Sequence, residues 1–367
     1  MKLKEAVSWL MGTLQHNLFP GLEECCERPL TEKEQQLTSI LSLVAMEPFA
    51  DRTCPQRFGR KRRERRAIAR TFVCKAVYNH PTTRATLEAL RGSPVLRRIC
   101  GFVTRAHIPS EATFSRAFRE FAHNGLGHRV HEALVARYVK SELVGHISRD
   151  ATAIQGREKP TPKPRREPPA LRKKGRPRRG EKRAVGAETR LARQCRQSAS
   201  AALEELPVYC DVGTKKNAKG YKETWIGYKL HADVNDWGAP ISVALTAASV
   251  HDSQVAIPLM KLSSDRVAYL YDLMAAAYDA KEIAAVSRSL GHVPIIDRNS
   301  RGREVIPLAP HEKARYKERT DAERFNSRLK EEFGGGNVMV RGAKKVRLHL
   351  MFGVIALLAD QVLKLIS

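Results

Sequence analysis

Residues 1 to about 140 carry their apolar positions at helical spacing, with few strand-like alternations. Turns are marked by Pro20-Gly21, Pro81 and Gly92-Ser93-Pro94. The first residues, "MKLKEAVSWLMGTLQHN", read as an amphipathic helix and not as a signal peptide. Glu5 interrupts the basic start, and no small-residue cleavage site follows. In "IPSEATFSRAFREFA", Pro109 precedes a capping Ser110, and Phe114, Phe118 and Phe121 recur on one helical face. With "SPVLRRICGF" before it, this segment fits a helix-turn-helix and fits an ordinary helical hairpin equally well. No residue in it is marked as a reader of bases.

The texture changes at 143–154, where "LVGHISRDATAI" mixes β-branched and small residues and predicts a strand with Asp150 at its edge or tip. From residue 206 the strand signals are dense. "PVYCDVGTK", "TWIGYKLHADVND" and "PISVALTAAS" read as successive strands, with "NDWG" turning between the last two. "RVAYLYDLM" is a nearly continuous apolar run, as a buried strand would be. A helix over "AYDAKEIAAVSRSLG" ends at Gly291, and "HVPIID" is another buried strand. A charged helix at 316–330, a Gly-rich turn at 334–336 and an apolar terminal helix complete the chain. The terminal helix carries Asp360 and Lys364, and its uninterrupted apolar run is too short to span a bilayer comfortably, so it is expected to be buried. Strands followed by strand–helix–strand–helix predict an α/β domain with a mixed sheet and flanking helices, behind an all-helical N-terminal region.

Composition adds a partner. The 367 residues are 42% hydrophobic, enough for a large core, yet the formal net charge is +26. Solubility does not need so large an imbalance. A polyanion does, with nucleic acid first and an acidic membrane surface second. Between 157 and 196 there are sixteen Lys and Arg against four Glu, with frequent proline and almost no large apolar residue. The insert at about 156–200 is therefore expected to be disordered or ordered by DNA. Within it, "KKGRPRRG" resembles an AT-hook, which would place Arg176, Arg178 and Arg179 in a narrow minor groove; generic phosphate binding is the other reading. Residues 57–70, with Arg62 and Arg63, hold eight basic residues and one Glu, which favours a phosphate-contacting helix over a solvated charge face. Seven cysteines without a C-x-x-C pair argue against a disulfide framework or zinc cluster and fit a reducing cytoplasm. There is no nucleophile elbow, P-loop or dinucleotide fingerprint.

The charged segment "YKERTDAERFNSRLK" has an uneven distribution of function. On one continuous helix Tyr316, Arg319, Glu323 and Lys330 would fall within an arc of about 60°, with Glu323 and Lys330 about 10 Å apart along the axis. Such a stripe suits a helix laid against a polyanionic backbone. A charge face held by i,i+4 pairs such as Arg319–Glu323 is the plainer alternative. A carboxylate amid basic residues has an evident use as a ligand for divalent cations in phosphodiester chemistry, together with other acids brought close by the fold, of which Asp150 is the first candidate.

"ISRDATAI", the "GYKLHADV" and "LTAASVHDS" strands, "AAYDA" and Tyr-x2-Arg-x3-Glu-x6-Lys occur in that order. Together they resemble the DDE transposases of bacterial insertion sequences marked by the Tyr-Arg-Glu-Lys helix. The resemblance covers roughly 140–350 and, more loosely, the helical front end. It implies a ribonuclease-H-like core at 141–367 behind a DNA-binding and dimerisation region at 1–140. It also implies two Mg2+ or Mn2+ ions and a homodimer acting on double-stranded DNA, element ends and target alike, near the bacterial nucleoid. Residue by residue, it makes Asp150 and Glu323 metal ligands, and Tyr316, Arg319 and Lys330 contacts to the DNA backbone. The family's second acid precedes a Tyr by three positions. Here Tyr278 anchors that element and Ala275 fills the acid's slot, which implies a chain without its second catalytic carboxylate unless Asp272 substitutes. His251 and Tyr278 are expected to support the site, and His231 and Asp233 carry the same weaker expectation. Trp225 and Trp237 are expected to pack in the core or at turns rather than to stack on bases.

Overall fold

The computed structural model describes residues 28–50, 64–162, 188–216, 220–299 and 307–366. The helical front end opens with α1 (Glu32–Leu43), which Thr31 and Glu34 close in a reciprocal capping box. It continues through α2 (Arg65–Val77), α3 (Thr83–Gly92), α4 (Pro94–Ile99), α5 (Glu111–His123) and α6 (Leu126–Tyr138). Phe114, Phe118 and Phe121 of α5 are buried as their spacing requires, and Phe72 of α2 meets the first two of these rings edge-on. Ser110 does not cap α5 through its side chain; its Oγ lies 3.2 Å from Thr113 Oγ1 instead. Residues 100–110, with a 3-10 turn at Arg105–His107, separate α4 from α5, so the pair lacks the short turn of a helix-turn-helix.

Among the described residues the sheet has six strands. β1 (Val144–Gln155) lies between β3 (Lys222–Asn235), which it pairs antiparallel, and β5 (Tyr269–Met274), which it pairs parallel. β2 (Asp211–Lys216) and β4 (Pro240–Ala247) pair antiparallel with different halves of β3, and β6 (Val293–Ile296) pairs parallel with β5. The order β2-β3-β1-β5-β6, with β4 also on β3, is the expected ribonuclease-H-like mixed sheet. β3 and β4 are joined by a tight turn at residues 236–239, whereas the insert separates β1 from β2; the parallel strands β5 and β6 are joined through the helix Lys281–Ser289.

Three expectations are corrected here. Asp150 does not sit at the edge of the sheet or at a strand tip. It lies inside a 12-residue central strand, one position beyond the last β1–β5 partners, Arg149 and Met274, where β5 has left the sheet. The tail of the basic insert is ordered, as α7 (Arg190–Arg196) and α8 (Ala199–Glu204). Thr189 and Ser198 cap these helices, Lys261 Nζ donates to the carbonyls of Gln194, Cys195 and Gln197, and Ala199 and Ala202 are buried. Local caps and small apolar residues thus outweigh the charged composition there. The basic core of the insert, with Arg176, Arg178 and Arg179, lies outside the described residues, as do the N-terminal segment and Arg62 and Arg63.

The third correction concerns the charged helix. It breaks into α11 (Pro310–Tyr316), a 3-10 turn at Lys317–Arg319, and α12 (Thr320–Glu331). In chain order, α9 (Ser253–Arg266) and α10 (Lys281–Ser289) cover one face of the sheet and α12 the other. The terminal helix α13 (Ala343–Ile366) is buried along most of its length. Although it follows the sheet in sequence, it packs mainly among α1, α2, α5 and α6, so one core runs through both regions. It is long and apolar enough to cross a membrane, but its burial makes it a core helix. Trp237 packs against that core, and Trp225 lies across Gly213 with its indole N–H donating to Tyr228 O at 3.0 Å. Both serve packing, as expected.

Candidate active site

Strand alternation divides the residues around Asp150 between two faces. His146, Ser148 and Asp150 point toward the Glu318–Asn326 segment. His146 Nε2 lies 3.4 Å from Asp321, Ser148 Oγ donates to Glu318 O at 3.2 Å, and Asn326 Nδ2 donates to Asp150 Oδ2 at 3.0 Å. These three contacts dock α12 and the 3-10 turn before it onto β1. Glu323 lies one helical turn before Asn326, within a side chain's reach of the same spot.

Arg319 reaches forward to Glu323 at 2.5 Å, and its guanidinium carbon stands 5.6 Å from the centre of the Tyr316 ring. Residues three apart eclipse in a 3-10 turn, so Tyr316 stays in line with Arg319, and Arg319 meets Glu323 as an i,i+4 pair; the three remain on one side. Lys330 lies two turns further along α12. Burial lowers its ammonium pKa, and the nearby charge of Lys215 lowers it further. A desolvated cation beside another cation gains from an anion placed between them.

Burial raises the Asp150 carboxyl above the ordinary range; the Ala151 N–H and Arg319 oppose this, while Asp252 and Glu323 reinforce it. Asp252, at the start of α9, is tied to Lys229 at 2.8 Å. Two further carboxylates, Asp252 and Glu323, thus bear on Asp150. Tyr278 is buried below them, its hydroxyl pushed up first by burial and then by Asp252 and Asp150. His251 is exposed and bonds Ser253 Oγ at 2.8 Å, so it belongs to the α9 start rather than to the Asp150 cluster.

The opposite face explains Asp272. Arg149 is buried there and grips Asp233 with two bonds of 2.7 Å, Asp272 at 3.4 Å, and Met274 Sδ at 3.2 Å. Ser287 and Tyr269 also donate to Asp272, and Ser263 donates to Asp233. Burial alone would raise the Asp272 pKa, but His292, Arg149 and Ser287 hold it below the ordinary carboxylate range. Asp272 is thus a buried, fully partnered acid on the far side of the sheet, and so is Asp233. His231 is buried on that face too, its Nε2 2.9 Å from Thr246 Oγ1. These side chains cannot share a ligand with Asp150 and Glu323 unless the sheet is dismantled.

The slot beside Asp150 belongs to Ala275. Arg149 pairs with Met274, so extending the parallel register by one residue sets Ala275 next to Asp150. Asp150, Glu323 and the amide oxygen of Asn326, which is buried without a hydrogen-bond partner, are hard oxygen donors suited to one divalent cation. A bridged pair would need a further acid, and Ala275 beside Asp150 offers only a methyl group. Among the described residues, no group of three or more His, Cys, Asp or Glu could hold a metal.

The sequence matches the Transposase DDE domain family over residues 150–359 and the Transposase domain (DUF772) over residues 25–120. The chain belongs to the DDE transposase family. No curated protein and no solved structure matches it. In this transposase the first matched residue of the DDE domain is Asp150 itself, and the match runs through Ala275, Glu323 and most of α13. Sequence reasoning alone did not identify Asn326 or the Arg149–Asp233 pair. Asn326 lies three residues after Glu323, on the same side of α12, and Arg149 is next to Asp150, so strand alternation sends it to the opposite face. These placements could have singled them out.

Proposed function

We propose that this transposase binds double-stranded DNA at its element's ends and that its phosphodiester chemistry is limited by Ala275. The observation that carries this reading is that Ala275 directly follows Met274, the last β5 partner of β1, so that extending the register by one residue sets a methyl group beside Asp150. Asp150 and Glu323 would hold one Mg2+ or Mn2+, which when bound supplies positive charge against a phosphate oxygen. Arg319, Tyr316 and Lys330 bind and orient the DNA backbone along α12. The fully bonded cluster beneath the sheet keeps residues 150 and 275 side by side. A homodimer holding two ends completes the arrangement. As written, the chain acts as an end-binding protein with little or no cleavage.

The test uses duplexes taken from the DNA flanking its own coding sequence. The unmodified chain is expected to shift these duplexes in gels without cutting them in Mg2+. Ala275→Asp is expected to cut them, and Ala275→Asp combined with Glu323→Ala is expected to bind and not cut. Joining of a precut 3′-hydroxyl end to target DNA separates transposition from simple nuclease activity. The reading fails if the unmodified chain cuts at a rate that Ala275→Asp does not raise. A purely architectural DNA-binding role follows if Ala275→Asp binds normally and never cuts.

A further inference from the structure

Helix α5 carries a polar stripe that the catalytic reading leaves unused. Its buried side is formed by Phe114, Ala117, Phe118 and Phe121. Directly opposite, Ala112, Ser115, Arg116, Arg119 and His123 are all exposed. At about 100° per residue these five lie within an arc of about 100°, and none of them is acidic. The helix's two acids sit on its flanks, and each is occupied by an arginine from another helix. Arg65 of α2 holds Glu120 at 2.8 Å, and Arg84 of α3 lies 3.7 Å from Glu111. Arg116 leans on Thr113 Oγ1 at 3.3 Å and meets no carboxylate in that contact.

This is the composition of a helix that enters a groove. Ala112 and Ser115, at the leading end, are short enough to let the helix axis come close to base edges. Arg116 and Arg119 stand one turn behind them with forked donors that match the acceptor pair of guanine. Around the leading end, Arg84 on α3 and Arg105 and His107 in the 3-10 turn are exposed at the sides, where phosphates would pass. The stripe is rigid, because the Phe side of α5 packs on α2 and on Phe352 of α13. An α-helix of this width fits the major groove of B-form DNA and does not fit the deep, narrow groove of A-form RNA.

We infer that α5 is the base-reading helix of this chain, docking its Ala112–Ser115–Arg116–Arg119 stripe in the major groove of duplex DNA. The inference rests on the reading of the chain as a DNA-binding transposase, and it adds the element that gives that binding its sequence preference. Cations on α12 and in the insert would then supply affinity without sequence, and α5 would select the site.

The experiment selects duplexes from a randomised pool with the full chain and with Arg116→Ala and Arg119→Ala, at physiological salt. The unmodified chain is expected to enrich a defined motif. Each variant is expected to lose preference at neighbouring positions of that motif by about tenfold or more, while still binding an unrelated duplex in a salt-dependent manner. Both arginines are exposed, so unfolding midpoints should be unchanged. If an alanine variant nonetheless unfolds, Arg116→Lys and Arg119→Lys, which keep the charge and lose the fork, decide the same question. An unchanged motif in the variants overturns the inference, and so does the absence of any motif from the unmodified chain. Its failure is separable from that of the catalytic reading. A motif that depends on Arg116 can survive when Ala275→Asp cuts nothing, and cutting by Ala275→Asp can occur with no such motif.

Discussion

Replacing Arg149 by methionine probes the scaffold under the candidate active site. Arg149 is 1% exposed and holds two carboxylates that are equally buried, Asp233 at 2.7 Å and Asp272 at 3.4 Å. Methionine keeps much of the side-chain volume but leaves two acids facing each other without a cation. Removing one partner of a buried ion pair costs about 3–5 kcal/mol, because the remaining charge stays desolvated. Here Ser263, Ser287 and Tyr269 still donate to the acids, which places the cost toward the lower end. For a chain of this size about 3 kcal/mol lowers the thermal midpoint by about 4 °C.

The effect depends on pH with a defined sign. In the unmodified chain the folded pKa of Asp272 is depressed, so its contribution is present above the ordinary carboxylate pKa and is lost as pH falls through the depressed value. Without Arg149 the buried acids have raised pKa values, so the penalty is largest at neutral pH and shrinks as pH falls toward the ordinary carboxylate range. Urea titrations of both chains at neutral pH and at about pH 4.5 measure the difference directly. Arg149→Met combined with Asp233→Leu and Asp272→Leu is expected to recover most of the loss, since an apolar trio avoids the unpaired charge. A neutral-pH loss below about 1 kcal/mol, or one that grows as pH falls, would refute the buried-clamp reasoning.

Two further perturbations have defined outcomes. Burial raises the Asp150 pKa, so its ionised form opposes folding: the stabilising share is present below the unfolded pKa and is lost as pH rises through the folded one. Asp150→Asn should therefore raise the thermal midpoint at neutral pH and give no gain at about pH 3, where the unfolded acid is protonated as well. The same variant should weaken Mg2+ binding in calorimetry. Gly227 has φ +149, and a Cβ there would stand 2.2 Å from Ile154 O and 2.5 Å from Gly156 N. Gly227→Ala should cost more than about 2 kcal/mol, read as a lower urea midpoint, because both clashing atoms are backbone at the β1–β3 junction.

Much of the site was legible because its signals are local. Apolar periodicity marked β5 as buried and α5 as one-sided, and the spacing of Arg319 and Glu323 predicted the pair that forms. The family pattern made Ala275 conspicuous through its distance from Tyr278. What stayed hidden depended on non-local partners. Asp272 looked available because a sequence does not show that Arg149, Ser287 and His292 surround it. The helical wheel assumed an unbroken helix, whereas the structure turns to 3-10 geometry at Lys317–Arg319 and keeps Tyr316 beside Arg319 by ring contact. The ordered tail of the insert was masked by its charge, although Thr189 and Ser198 are ordinary helix caps.

By itself, then, the sequence determined most of the element types and a +26 charge that suits a polyanionic partner. These follow from spacing and composition, which the chain carries without folding; that Ala275 fills an acid's slot is implied by the family pattern alone. The tertiary structure decided which acids share a face. The β1–β5 register set Ala275 beside Asp150, and strand alternation sent Arg149, Asp233 and Asp272 to the other side. That partition has a physical cause: adjacent residues of a strand point oppositely, so Arg149 is sealed in the core while Asp150 faces α12.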